Sequence, residues 1–178
     1  MTFKRILPNL LTLFAIVLAI VAIIHYKMIY FATFVIVINA FIDGFDGYYA
    51  RRFGVVSSIG HYLDFTNDVL SFLVLPMLIV STLITPIYVL LFLVVALFYF
   101  VAGVYRLMRE NKKQSVACFT GIPTTLTALL LMIIVFFYQQ LLIDYVYGIP
   151  ILLIMILCLS ILMICRFPVK RLGQKKSC

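Results

Sequence analysis

Apolar residues run through this chain in six long blocks, separated by short segments that hold nearly all of its charge. The blocks cover residues 7–24, 28–42 (continuing into a polar motif), 59–80, 86–104, 122–142 and 147–165. Most approach the ~20 residues an α-helix needs to cross a bilayer, and their length argues for helices over strands. The pattern predicts an all-α integral membrane protein, a bundle of six transmembrane helices. Lys4 and Arg5 precede the first block as they would in a signal peptide. No small-residue cleavage site follows, so the block is read as the first membrane helix.

Composition agrees: 66% of residues are hydrophobic and 11% charged, outside the range of soluble domains. The 178 residues suit one domain over 1–178, with no linker or repeat. Of the 14 Lys and Arg, all but Lys27 fall at alternate loops or ends. The positive-inside rule then places both termini on the cytoplasmic side. The net charge of +8 is accounted for by topology and anionic headgroups, and nucleic acid is not expected as a partner. Cys118, Cys158, Cys165 and Cys178 lack zinc-like spacing and read as small buried hydrophobes in a reducing compartment.

Four of the six acidic residues break this apolar pattern together: Asp43, Asp46, Asp64 and Asp68. Left alone in a membrane, four carboxylates would oppose insertion by roughly 10 kcal/mol. On a helix, Asp43, Asp46, Gly47 and Ala50 share one face, and Gly60, Asp64 and Asp68 share another at i, i+4, i+8. Two helices thus carry two carboxylates each, with small residues where a ligand must come close. Carboxylates without histidine or thiolate nearby suit hard cations, Mg²⁺ or Mn²⁺. Four of them can hold two ions, an arrangement suited to displacement at phosphorus. Arg51 and Arg52 adjoin as donors to phosphate oxygens. Simple pairing of an aspartate with Arg51 or Arg52, or a proton or divalent-cation transport pathway, are the competing readings.

The spacing of Asp43, Asp46, Gly47, Ala50, Arg51, Gly60, Asp64 and Asp68 resembles the complete signature of the CDP-alcohol phosphotransferase family, D-x-x-D-G-x-x-A-R-x8-G-x-x-x-D-x-x-x-D. The segments Ser71-Phe72-Leu73-Val74-Leu75-Pro76, Arg106-Leu107-Met108-Arg109, Phe119-Thr120-Gly121-Ile122-Pro123 and Arg166-Phe167-Pro168-Val169-Lys170 resemble the serine-using branch of that family. Phe65 stands where that branch carries serine, and Leu73 and Leu75 where it carries glycine and alanine, which adds bulk near the site.

The resemblance implies a six-helix membrane fold and a homodimer. It implies transfer of a phosphatidyl group from CDP-diacylglycerol to L-serine, with release of CMP and divalent metal assistance. The same chemistry with glycerol 3-phosphate or an inositol compound is the alternative. By position, Asp43, Asp46, Asp64 and Asp68 become metal ligands, and Asp68 also the general base. Gly47, Ala50, Arg51, Ser57 and Gly60 become CDP-lipid contacts, and Arg106 and Arg109 acceptor contacts. Ser57 reads equally as a helix cap. Arg106 and Arg109 read equally as positive-inside residues. Asn9 and Thr12 resemble the family's N-terminal P-N-x-x-T, and either line the acceptor pocket or bond backbone. His61 is read as a polar neighbour of Asp64.

Overall fold

The structure is a computed structural model. It describes residues 3–53, 58–112, 118–120, 122–140, 145–165 and 168–170, with side chains described within 9–45, 60–109, 122–140 and 148–165. The described residues are overwhelmingly helical. In chain order they form α1 (Phe3–Ile24), α2 (Ile29–Phe53), α3 (Ser58–Asp68), a π-helical stretch (Val69–Val74), α4 (Leu75–Ser81), a 3₁₀ turn (Pro86–Tyr88) leading into α5 (Val89–Lys112), α6 (Thr124–Gln140) and α7 (Tyr145–Ile164). Because α3, the π stretch and α4 are one continuous helix, these are six helical stretches, where the six apolar blocks predict them.

Two described helices, Gly60–Ser81 and Pro86–Arg109, are long and apolar enough to cross a membrane. Four more apolar helices have shorter described lengths: Asn9–Ile24, Ile29–Phe45, Thr124–Gln140 and Gly148–Ile164. Large apolar side chains stand on their outer faces, among them Phe34, Phe41, Phe45, Leu90, Leu97 and Ile154, each more than half exposed. Apolar surface on this scale is costly in water and natural in a bilayer.

One feature departs from a purely α fold. Cys118–Thr120 (β1) and Pro168–Lys170 (β2) form a short antiparallel ladder, with Phe119 opposite Val169 and Thr120 opposite Pro168. Two motif segments about 50 residues apart in sequence are thereby paired. Another departure concerns the cysteines: Cys158 is exposed and Cys165 only partly covered, so neither is the buried hydrophobe expected. Cys118 and Cys178 lie outside the described side chains.

The chain divides into two compact units, Met1–Thr82 and Leu83–Cys178. In the first, α1 packs against both α2 and α3. Its inward stripe is small: Thr12, Ala15, Ala19 and Ala22 are all buried, the three alanines completely. Lipid supplies little drive for apolar side chains to leave it, so membrane helices gain most from such close backbone approach. On α2 the buried stripe is Ala32, Val35, Ile36 and Asn39, at helical spacing. In the second unit, α7 packs on α5 and α6. The core there is Phe92, Val95, Tyr99 and Ala102 of α5, Leu131 and Val135 of α6, and Leu152, Ile156 and Met163 of α7.

Candidate functional site

On α2 Asp43 continues the buried stripe. Asp43 follows Ala32, Ile36 and Asn39 at spacings of four, three and four residues, so it lies on the face that packs inward, and it is half-buried. The exposed phenylalanines Phe34, Phe41 and Phe45 lie on the opposite side. Beside them, Gly44 leaves open space where a Cβ would stand, and an apolar depression is lined by Ala40, Phe41, Gly44 and Phe45. Asp46, Gly47, Ala50 and Arg51 belong to the next turns of α2, beyond the described side chains. Ser57 lies outside the described residues altogether.

On α3 the expected face is present. Gly60, Asp64 and Asp68 are half-buried and Asn67 is buried, whereas Tyr62 on the other side is 73% exposed. Thr12 of α1 donates a hydrogen bond from Oγ1 to Asp64 Oδ1 at 3.1 Å, across 52 residues of sequence. His61 lies close enough to Asp64 to interact with it electrostatically, in keeping with its reading as a neighbour.

Below the carboxylates a buried chain of neutral groups ties the three helices. Asn39 Nδ2 donates to Ser71 Oγ at 2.8 Å and to the Ala15 carbonyl at 3.2 Å. Ser71 Oγ donates in turn to Asn67 Oδ1 at 3.1 Å. Asn39 and Ser71 are wholly inaccessible, and Asn67 nearly so. Asn39 Oδ1 accepts no hydrogen bond among the described residues. Interhelical bonds of this kind fix which face of each helix meets its neighbour.

The π stretch starts one residue after Asp68 and includes Ser71. Leu75 N–H reaches the Leu70 carbonyl, five residues back, and Pro76, which has no N–H to donate, follows at once. Wide turns of this type often occur beside functional sites. Leu73 and Leu75 are fully buried within and just after it. The bulk that the sequence placed near the site is therefore taken up by the core.

The donor set is entirely carboxylate oxygen, which fits a hard divalent cation. Among the described residues no three metal-ligating side chains gather at coordinating distance, and Asp46 is beyond the described side chains. Metal binding accordingly belongs to the proposal below.

In the second unit the two candidate acceptor residues have different surroundings. Arg106 continues the α5 core stripe, is only 5% exposed, and donates from Nη1 to Thr124 Oγ1 at 2.8 Å. Thr124 and Thr127 are buried on α6, and the buried Tyr99 is hydrogen-bonded to Thr127. Arg109 is one turn further on and more accessible. Its Nη1 donates to the Ile164 carbonyl at the end of α7, 3.1 Å away, and its guanidinium lies 5.8 Å from the centre of the Tyr105 ring. A cation on the last carbonyls of a helix is a stabilising arrangement. The two guanidiniums thus bond to different groups, Arg106 to the Thr124 hydroxyl and Arg109 to the Ile164 carbonyl.

Sequence reasoning left three contributors out of the site: Thr12, Asn39 and Asn67. Thr12 carried a signal, as a polar residue in an apolar block at a family-like position. Asn39 carried one too, since it sits four residues before Asp43 on the same face.

A family model described as CDP-alcohol phosphatidyltransferase matches residues 5–167, and the chain belongs to that family. Among curated proteins, the chain is similar to the CDP-diacylglycerol–serine O-phosphatidyltransferase of Bacillus subtilis (strain 168). The two are 35% identical over 101 residues, which is 55% of this chain and 56% of that protein. The match spans little more than half the length of its relative.

Proposed function

We propose that this protein transfers a phosphatidyl group from CDP-diacylglycerol to the hydroxyl of L-serine, releasing CMP and forming phosphatidylserine. The observation that carries the reading is Asp43 on the inward face of α2 and Asp64 and Asp68 on one face of α3, all half-buried beside neutral hydrogen bonds, at the spacing of the family signature. Serine as acceptor is supported by the similarity to the Bacillus subtilis enzyme and by the Ser71–Pro76 and Arg106–Arg109 segments.

In this reading Asp43, Asp46, Asp64 and Asp68 hold Mg²⁺ or Mn²⁺, as two ions. When bound, these neutralise charge on the diphosphate. Asp68 accepts the proton of the serine hydroxyl. The serine oxygen forms a bond to the phosphatidyl phosphorus, the bond from that phosphorus to the CMP oxygen breaks, and CMP leaves with the electron pair. Gly47, Ala50 and Gly60 allow close approach of the CDP moiety, and Arg51 and Ser57 contact its phosphates. Arg106 is assigned to the serine carboxylate, because a guanidinium can bind that group through two parallel hydrogen bonds. Arg109, which already caps α7, supports it. We place the six helices across the cell membrane, with both termini and the site at the cytoplasmic face. A homodimer is proposed on the family resemblance alone, and the whole chain, 1–178, acts as one domain.

The test is CMP release by purified protein with CDP-diacylglycerol and Mg²⁺ or Mn²⁺, offered L-serine, glycerol 3-phosphate or inositol phosphate in turn. Release that requires both metal and L-serine is expected. Release with another alcohol alone would overturn the acceptor and leave the chemistry standing.

A further inference from the structure

We propose that Thr12 is a positioning residue for Asp64, holding one oxygen of that carboxylate so that the other is presented to a divalent cation. The inference rests on the metal-assisted reading above. Thr12 is 3% exposed and lies on the α1 stripe with Ala15, Ala19 and Ala22, the stripe through which α1 meets α2 and α3. Its hydroxyl donates across the helix boundary to Asp64 Oδ1 at 3.1 Å. Among the described residues Thr12 is the side chain that hydrogen-bonds Asp64.

The chemistry of that donor matters. A carboxylate offers about four acceptor positions, and a single hydroxyl fills one without cancelling the charge. A lysine or arginine in the same place would fix the rotamer equally well but would compete with a cation for the anion. A neutral donor orients the ligand and leaves its charge available, which is the task of an outer-sphere partner to a metal ligand. The other buried polar side chains described in this unit follow the same rule. Asn39, Ser71 and Asn67 are neutral, and they fix α1, α2 and the α3 face that bears Asp64. Thr12 joins that scaffold directly to a carboxylate.

Removing such a partner typically weakens metal affinity by about tenfold to a hundredfold. The experiment is a Mn²⁺ titration of the purified full chain in detergent, with and without CDP-diacylglycerol, following free Mn²⁺ by electron paramagnetic resonance. Thr12→Val keeps the shape and removes the hydroxyl, and Thr12→Ser keeps the hydroxyl and removes the methyl. Expected are saturable binding by the parent, its loss in Asp64→Asn, about tenfold weaker binding in Thr12→Val, and recovery to within about threefold of the parent in Thr12→Ser. If Thr12→Val does not yield dispersed, folded protein, Thr12→Ala against Thr12→Ser makes the same comparison. Parent-like binding by Thr12→Val overturns the role of Thr12 and leaves the metal reading intact. Equal weakening by Val and Ser assigns the effect to packing and also overturns it. A parent that binds no Mn²⁺ in either condition removes the metal reading and this inference with it.

Discussion

The two compact units bury polar groups in opposite ways. In Met1–Thr82 the buried polar side chains, Thr12, Asn39, Asn67 and Ser71, are neutral, and they link separate helices to one another and to Asp64. In Leu83–Cys178 a cation, Arg106, is itself buried and held by a threonine hydroxyl. Buried charge costs several kcal/mol unless it is partnered. The first unit keeps Asp43, Asp64 and Asp68 half-buried over a neutral scaffold, and the second takes a guanidinium into its core. In the proposed reading the charged groups engage the ligands, and the neutral groups between helices hold the carboxylates in place.

The largest test of this contrast removes a carboxylate. Asp68→Asn keeps the size of the side chain and removes its charge and its basicity. Turnover measured as CMP release should fall by about 10³-fold, with binding of labelled CDP-diacylglycerol partly retained. Asp46→Asn should lose metal and nucleotide binding together. Parent-like turnover in either variant would undo the role assignment.

A smaller effect separates the two arginines. Arg106→Lys should raise the KM for serine by about tenfold to a hundredfold, the range for a lost charged hydrogen bond of ~1.5–3 kcal/mol. Arg109→Lys retains a cation at the end of α7 and should stay within about threefold. Equal changes in both would mean that their different burial has no bearing on the acceptor.

The smallest test compares two serines, each fully buried in a helix. Ser71 bridges Asn39 and Asn67, whereas Ser160 bonds the Ile156 carbonyl of its own helix. Thermal unfolding in detergent should show Ser71→Ala destabilised by about 1–3 kcal/mol, because buried Asn67 Oδ1 loses its donor and Asn39 Nδ2 keeps only the Ala15 carbonyl. Ser160→Ala should change by less than about 0.5 kcal/mol, since a back-bond within one turn contributes little. Matching shifts would mean that the α1–α2–α3 network is not what holds the first unit together.

The helices, the inward place of Asp43 and the α3 aspartate face were legible in the sequence because each follows from period alone. Asp43 falls where the stripe Ala32, Ile36, Asn39 leads, and Gly60, Asp64 and Asp68 fall on one side of α3. The Thr12–Asp64 bond was not legible: it joins residues 52 apart, and no local rule pairs a threonine with a distant carboxylate. Arg106 and Arg109 share an i, i+3 face and look alike in sequence. Their depths diverge because α7 ends beside Arg109 and supplies a carbonyl there. Nor does periodicity reveal the π stretch, which shifts the register after Asp68 and turns Leu73 and Leu75 into the core. The pairing of Cys118–Thr120 with Pro168–Lys170 is likewise a tertiary event between segments that each look like loop.

The central claim is tested most directly by counting both products of one reaction. Purified protein is given CDP-diacylglycerol and radiolabelled L-serine, and label extracted into the lipid phase is compared with CMP released, with Mn²⁺ present and after chelation. One mole of serine incorporated per mole of CMP, with both abolished by chelator, is the predicted result. CMP released without label entering lipid, or transfer that persists after chelation, would contradict it.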